Sequence, residues 1–261
     1  MSIEKVQNKR DMITRRWWFY LIIFLIFFIP PYVSKGYQGA GSFNLTIDML
    51  SKSLRPYASF QPIFHIIPVI LIILLIFLKN KVNRIFNIYV AVNYLLMAFL
   101  QNISILDKYG LVIFIANLIL IFLVFLSWSW EAAIGENTVG FQKPKPWKYL
   151  FIPLAILAFW FPMNPITAKP DFNPVYLLTS DSGLAFCSMT PVYLTVLLFM
   201  YPRINKVAIR LTSFIGVIFG ILAIILTSSN IWHLWWVGGT HIPLFVISLT
   251  SFVISLRKSS F

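Results

Sequence analysis

Eight apolar runs, each close to the length that crosses a lipid bilayer as a helix, fill most of this 261-residue chain. A hydrocarbon core of about 30 Å takes roughly 20 apolar residues per helix. The runs extend from Trp17 to Val33, Phe60 to Leu78, Ile85 to Ile105, Gly110 to Trp128, Trp147 to Met163, Gly183 to Tyr201, Ala208 to Thr227 and Trp232 to Leu256. Charged residues make up 11% of the chain, against about 25% in soluble domains. So little polar surface excludes a soluble enzyme. The expected fold is all-α: a polytopic transmembrane bundle of eight spans. Tight helical hairpins are expected at Leu106-Asp107-Lys108-Tyr109 and at Ser228 to Ile231.

The net charge of +13 would suggest nucleic acid in a soluble chain. In a membrane chain it reads as topology and attraction to anionic lipid, so no nucleic-acid partner is expected. With the N-terminus placed in the cytoplasm, sixteen of the 21 basic residues fall in inner segments. The outer ones are Lys35, Lys52, Arg55, Lys108 and Lys169, and none is left for the membrane interior. Both termini are then cytoplasmic, in a plasma-membrane protein. Tryptophans support the same frame: Trp17, Trp18, Trp128, Trp130 and Trp147 fall at inner ends, Trp160, Trp232, Trp235 and Trp236 near outer ends. The first run ends in Ile29-Pro30-Pro31-Tyr32 without a small-x-small cleavage site, which reads as a retained helix rather than a signal peptide.

The loop pattern repeats. At an offset of 129, Trp18 matches Trp147, Tyr20 matches Tyr149, and the long outer loops match at Phe43 and Phe172, Asn44 and Asn173, Ser51 and Ser180, Ser53 and Ser182. At an offset of 122, Lys81-Val82-Asn83-Arg84-Ile85 aligns with Arg203-Ile204-Asn205-Lys206-Val207. We expect a parallel four-plus-four duplication: residues 1–130, a polar linker 131–146, and residues 147–261. A seam or cavity would lie between the halves. The outer loops, with Phe43, Asn44, Phe172 and Asn173, read as a cap over an outward vestibule. Asn44-Leu45-Thr46 is also a glycosylation sequon.

Polar groups inside spans are costly and normally face the bundle interior. They are His65, Asn93, Asn117, Thr190, Thr195, Thr240 and His241. A ligand-binding patch of His65, Asn93, Asn117, Thr190, Thr240 and His241 is expected. Gly238-Gly239 and Pro243 should break the last helix beside His241. His65 and His241 are also candidate metal or haem b ligands; the alternative for each is an ordinary hydrogen bond between helices. No carboxylate falls inside a span, and Glu131, just past Trp128, reads as a solvated helix end. The lone Cys187 excludes an intramolecular disulfide and any multi-cysteine metal site. No nucleophile elbow, His-Glu-x-x-His helix or phosphate loop is present, so no catalytic residues are assigned.

Three readings remain. The first is a small permease or channel-like module for a neutral or small solute bound between the repeats. The second is a non-catalytic anchor or haem- or quinone-associated subunit of a larger complex, its basic inner face seating membrane or cytoplasmic protein partners. The third, an enzyme acting on lipid, lacks a catalytic pair.

Overall fold

The computed structural model describes residues 2–36, 43–140, 145–165, 167–230 and 235–257. About 75% of the protein is helical. Ser2 caps the first helix, α1 (Ile3–Thr14), by accepting from the Lys5 N–H, and Glu4 sits favourably in its first turn. Next come α2 (Trp17–Ile26), strand β1 (Tyr32–Val33), α3 (Phe43–Lys52), a 3-10 turn (Arg55–Phe60), α4 (Gln61–Leu78) and α5 (Asn80–Leu100). Strands β2 (Ile103–Leu106) and β3 (Gly110–Ile113) lead into α6 (Ile115–Ile134). A 3-10 turn (Pro146–Leu150) runs into α7 (Phe151–Trp160). The short α8 (Tyr176–Thr179), a further 3-10 turn (Asp181–Leu184), α9 (Phe186–Met200), α10 (Lys206–Asn230) and α11 (Trp235–Leu256) follow among the described residues.

Among the described residues five helices are long and apolar enough to cross a bilayer: α4 with its leading 3-10 turn, α5, α6, α10 and α11. A sixth crossing results if Tyr176–Leu184 and Phe186–Met200, bent by 93°, form one span. The first and fifth apolar runs give shorter helices, Trp17–Ile26 and Pro146–Trp160. At 1.5 Å per residue the ten residues of α2 reach about 15 Å, half a bilayer core. Of the eight spans expected from sequence, five, or six with the bent pair, are thus helices of crossing length among the described residues.

The expected helical hairpin at 106–109 is instead a β-hairpin. Ile103 pairs with Ile113 and Leu106 with Gly110, and β1 adds antiparallel on the other side of β3. Hydropathy does not separate a short apolar strand from a helix end. Gly110 (φ 67°) turns the hairpin, where an added Cβ would meet the Ser34 hydroxyl. Leu45 and Met49 of α3 bury themselves on this sheet with Leu106, Tyr109 and Val112, a second small core at one end of the bundle. We call this the sheet end and the opposite one, where α1 docks, the α1 end.

Because residues 103–113 are strand, the neighbouring helices shift toward the α1 end. α6 runs past Trp128 and stops only at Gly135, in left-handed conformation with its N–H on the Glu131 carbonyl (2.8 Å). Trp128 is consequently fully buried, its indole N–H donating to the Thr212 hydroxyl (3.0 Å), and is no part of an interfacial belt; Trp17, Trp147 and Trp235 are exposed.

α4 presents Ile63, Ile66, Ile70, Ile73 and Phe77 outward, the face lipid would cover. α10 and α11 approach most closely, through Gly216 and Gly220 of α10 and Gly238 of α11. A Cβ on Gly238 would stand 2.4 Å from the Thr227 hydroxyl. The expected break at Gly238-Gly239 and Pro243 does not occur: α11 is continuous, and Gly238 serves close helix packing.

Candidate functional site

The cavity of interest, about 260 Å³, lies toward the sheet end between α6, α9, α10 and α11. Its lining is mainly apolar: Phe27, Ile121, Phe186, Phe219 and Leu222 among others. α3, from the loop read as a cap, contributes Leu45 and Thr46 to the wall. Two of the sequence-derived site residues, Asn117 of α6 and His241 of α11, line it. His241 donates from Nδ1 to the Val237 carbonyl one turn back (2.6 Å). In the neutral ring that bond leaves the lone pair on Nε2. Among the described residues no protein group hydrogen bonds that Nε2 or the Asn117 amide. The cavity therefore offers an unpaired imidazole acceptor and an unpaired amide on a mainly apolar wall, whose other polar residues are Thr46, Gln101, Asn102 and Thr227.

The other site candidates are elsewhere. Thr240, next to His241, is buried and returns its hydroxyl to the Val237 carbonyl (2.8 Å). His65, Asn93 and Thr190 belong to a packed network joining α4, α5 and α9. His65 donates from Nδ1 to the Gln61 carbonyl (2.8 Å), and its Nε2 meets the Ser182 hydroxyl (2.7 Å) with Ser180 at 3.3 Å. With both ring nitrogens engaged, His65 holds the 3-10 turn against α4, and it shares no cavity with His241. Asn93 donates to the Gly183 carbonyl (3.1 Å) and accepts from Tyr193 (3.0 Å), while Tyr94 meets Thr190 (3.1 Å). Gly183 is required there: a Cβ would sit 2.8 Å from that of Phe64. No group of three or more His, Cys, Asp or Glu poised for a metal occurs among the described residues.

In the outer-loop set, the Phe172 ring contacts Trp160 and Trp236 edge-on, both at 5.7 Å. Asn173 caps the Val175 N–H (3.0 Å), and its carbonyl accepts from the Trp160 indole (3.0 Å). These residues pin a loop and touch no cavity ligand position. Phe43 and Asn44 open α3, and their side chains lie outside the described residues, as does His233.

Below the cavity, Phe186, Tyr94, Tyr193, Trp128 and Phe86 contact one another as a layer of rings, with centroids 5.6–6.4 Å apart. Beyond it lies a polar cage that sequence reasoning missed. Glu131 is fully buried. Its Oε1 accepts from the Asn87 amide (3.2 Å) and the Asn137 backbone N–H (2.7 Å), its Oε2 from the Asn205 amide (2.9 Å). Asn205 also caps α10 at Val207 and Ala208, and Asn83 donates to the Asn137 carbonyl. Asn83 and Asn205, matched in the two halves of the sequence, thus converge on one segment. The signal that could have found the cage was Gly135: taken as the helix stop, it carries Glu131 inside α6.

α1 closes the α1 end. Gln7 donates to the Glu136 carboxylate (2.8 Å) and accepts from the Trp130 indole (2.8 Å). Arg210 of α10, counted in the sequence as a peripheral charge, is fully buried. It donates to the Asp11 carboxylate (3.1 Å), the Thr14 hydroxyl (2.6 Å) and the Ser255 carbonyl (3.0 Å). A polar pocket of about 400 Å³, lined by Gln7, Asp11, Glu136, Arg203 and Lys206, opens beside this contact.

Burial holds the Glu136 carboxyl above the ordinary carboxylate range, with Asp11 adding to the effect and Gln7 and Lys206 opposing it. A carboxyl raised on folding adds stability that is full below its unfolded value and lost as pH rises through its folded value. We expect backbone exchange in residues 3–14, corrected for intrinsic rates, to slow as pH falls. Glu136→Gln should abolish that pH dependence; an unchanged dependence would assign it to another group.

Comparison with known proteins finds no family model, no curated protein and no solved structure that matches this chain.

Proposed function

We propose that this chain is a small membrane transport module that takes an uncharged, mostly apolar solute carrying a hydroxyl group into the cavity between its halves. The observation that carries the reading is the pairing of an apolar wall with the open Nε2 of His241 and the Asn117 amide. A lone-pair acceptor in such a wall selects a hydroxyl donor, and the amide can take up the hydroxyl oxygen. A dry apolar cavity of about 150 Å³ accommodates benzene; this one has room for a somewhat larger molecule. In this reading α2 and α7 complete an eight-segment, four-plus-four arrangement, with both termini and the α1 end cytoplasmic. Support comes from the meeting of the matched Asn83 and Asn205 at Asn137 and from the like order of elements in the two halves. The cavity lies on one side of the ring layer and the polar cage on the other, as in a carrier open to one side only.

The test is thermal stabilisation of the purified protein in lipid nanodiscs by hydroxylated aromatics, compared with their isosteric hydrocarbons, alongside flux of the same compounds into proteoliposomes. The phenols should stabilise and move; the hydrocarbons should do less. Losing one hydrogen bond costs about 1 kcal/mol, so His241→Ala should weaken binding roughly 5- to 10-fold. Equal response to both series would overturn the reading. A Soret band in the purified protein would replace it with the haem-associated alternative.

A further inference from the structure

Glu131 stands out among the eight carboxylates. It is fully buried in a helix long enough to span a bilayer, and no ion pair reaches it among the described residues. All its partners are neutral: two side-chain amides, the Asn137 backbone N–H and, less closely, the Glu136 backbone N–H. α5 presents Asn83 and Asn87 toward it, the 135–140 segment Asn137 and Glu136, and the turn before α10 Asn205. Glu136 is itself acidic and repels a charge on Glu131. The nearby cations are engaged elsewhere or line the polar pocket: Arg210 is on Asp11, and Arg203 and Lys206 border the pocket. Ionised carboxylates without a cationic partner are rare in membrane interiors and mark proton or ion pathways.

We propose that Glu131 is a proton-binding site fed from the polar pocket at the α1 end, and that its charge state latches the two halves together there. Hydronium in the pocket gives up one proton and leaves water; one O–H bond forms on the carboxylate and its negative charge is lost. The two oxygens are not equivalent. Oε1 accepts two bonds, one from the fixed Asn137 N–H, whereas Oε2 accepts one, from Asn205. The proton goes to Oε2, the less occupied oxygen. The proton fills the free lone pair of Oε2, and with the negative charge gone the carboxyl holds the Asn205 amide only by a weaker, neutral hydrogen bond. The amide cannot turn to offer Oδ1, which is held by the Val207 and Ala208 N–H groups. Protonation therefore weakens the tie between the start of α10 and α6, while the Asn205 N–H on Asn137 Oδ1 (2.7 Å) and the Thr138 N–H on the Arg203 carbonyl (2.9 Å) stay in place. The orphaned Asn83 Oδ1, buried without a partner, shows that the cage is not fully satisfied as it stands. That the proton drives solute movement rests on the transport reading; the site itself does not.

The experiment is infrared pH titration of the whole protein in lipid vesicles. A protonated-carboxyl band should rise as pH falls and be missing in Glu131→Gln, in which exchange of the 201–208 backbone should be fast at every pH. Asn87→Ala removes a donor to the charged form and should raise the titration midpoint by about one pH unit, which keeps the test decisive if Glu131→Gln does not fold. A band that survives Glu131→Gln, a midpoint indifferent to Asn87→Ala, or a response to sodium at fixed pH would each overturn the proposal. Because the band is read without any solute, its failure is distinct from failure of the flux assay.

Discussion

Gly220→Leu should cost about 3 kcal/mol or more and part α10 from α11. A Cβ at Gly220 would lie 2.9 Å from the backbone nitrogen of Phe245 and 3.0 Å from its Cα. Backbone cannot swing aside as a side-chain tip can, so the whole helix must move. Overpacking of a tight core costs about 1–3 kcal/mol for an extra methylene or two, and leucine adds four carbons against main chain. At Gly216, one turn away, the obstacle is the Ser248 hydroxyl at 2.2 Å, which can change rotamer. Gly216→Ala is therefore expected to be the milder of the two. Thermal denaturation of both variants in the same detergent checks the order; equal losses would mean that the spacing of α10 and α11 is set elsewhere. Because α10 and α11 wall the cavity, Gly220→Leu should also abolish phenol stabilisation even where the protein stays folded.

Asp11→Ala should be nearly as damaging, though Asp11 stands on a polar helix at the edge of the bundle. Removing it leaves the Arg210 guanidinium, itself fully buried, with hydroxyl and carbonyl partners but no counter-charge. Taking one partner from a buried charge pair costs about 2–5 kcal/mol. The lower part of that range is expected, since the Asp11 side chain is 30% exposed and part of its charge is already screened by water. Arg210→Met, which removes the buried charge as well, should cost less than Asp11→Ala. If Arg210→Met proves the worse of the two, the contact is packing rather than charge. Protease access to residues 3–14 would report the same order through undocking of α1.

The helical, lipid-compatible character of the chain was legible because twenty apolar residues in a row leave few alternatives in water. Helix positions were less legible. Ile103-Ser104-Ile105-Leu106 and Leu111-Val112-Ile113 are apolar enough to extend a span and β-branched enough to pair as strands; long-range pairing with Tyr32-Val33 decides between these. That one ambiguity displaced α5 and α6 toward the α1 end. It hid the depth of Asn83, Asn87, Trp128 and Glu131 together. The matched asparagines were visible as a repeat of residue types, but their meeting point depends on how Asn137 lies between two turns, which no spacing encodes. Asn117 and His241 were recognisable as polar residues in apolar runs. His65 shares that description exactly as well, and only the Ser182 hydroxyl, 117 residues away, shows that its imidazole is spent on holding a turn. Arg210 was counted among peripheral charges because a tail helix that buries an arginine leaves no hydropathy trace.

The layer formed by Phe86, Tyr94, Trp128, Phe186 and Tyr193 carries a kinetic implication. Each ring rests on at least one other, so none can rotate until its neighbour yields. Interlocked planes of this kind favour two arrangements with little between them. Communication across the molecule, if solute crosses it, should then come as abrupt, infrequent events at a rate nearly independent of which small alcohol is waiting above.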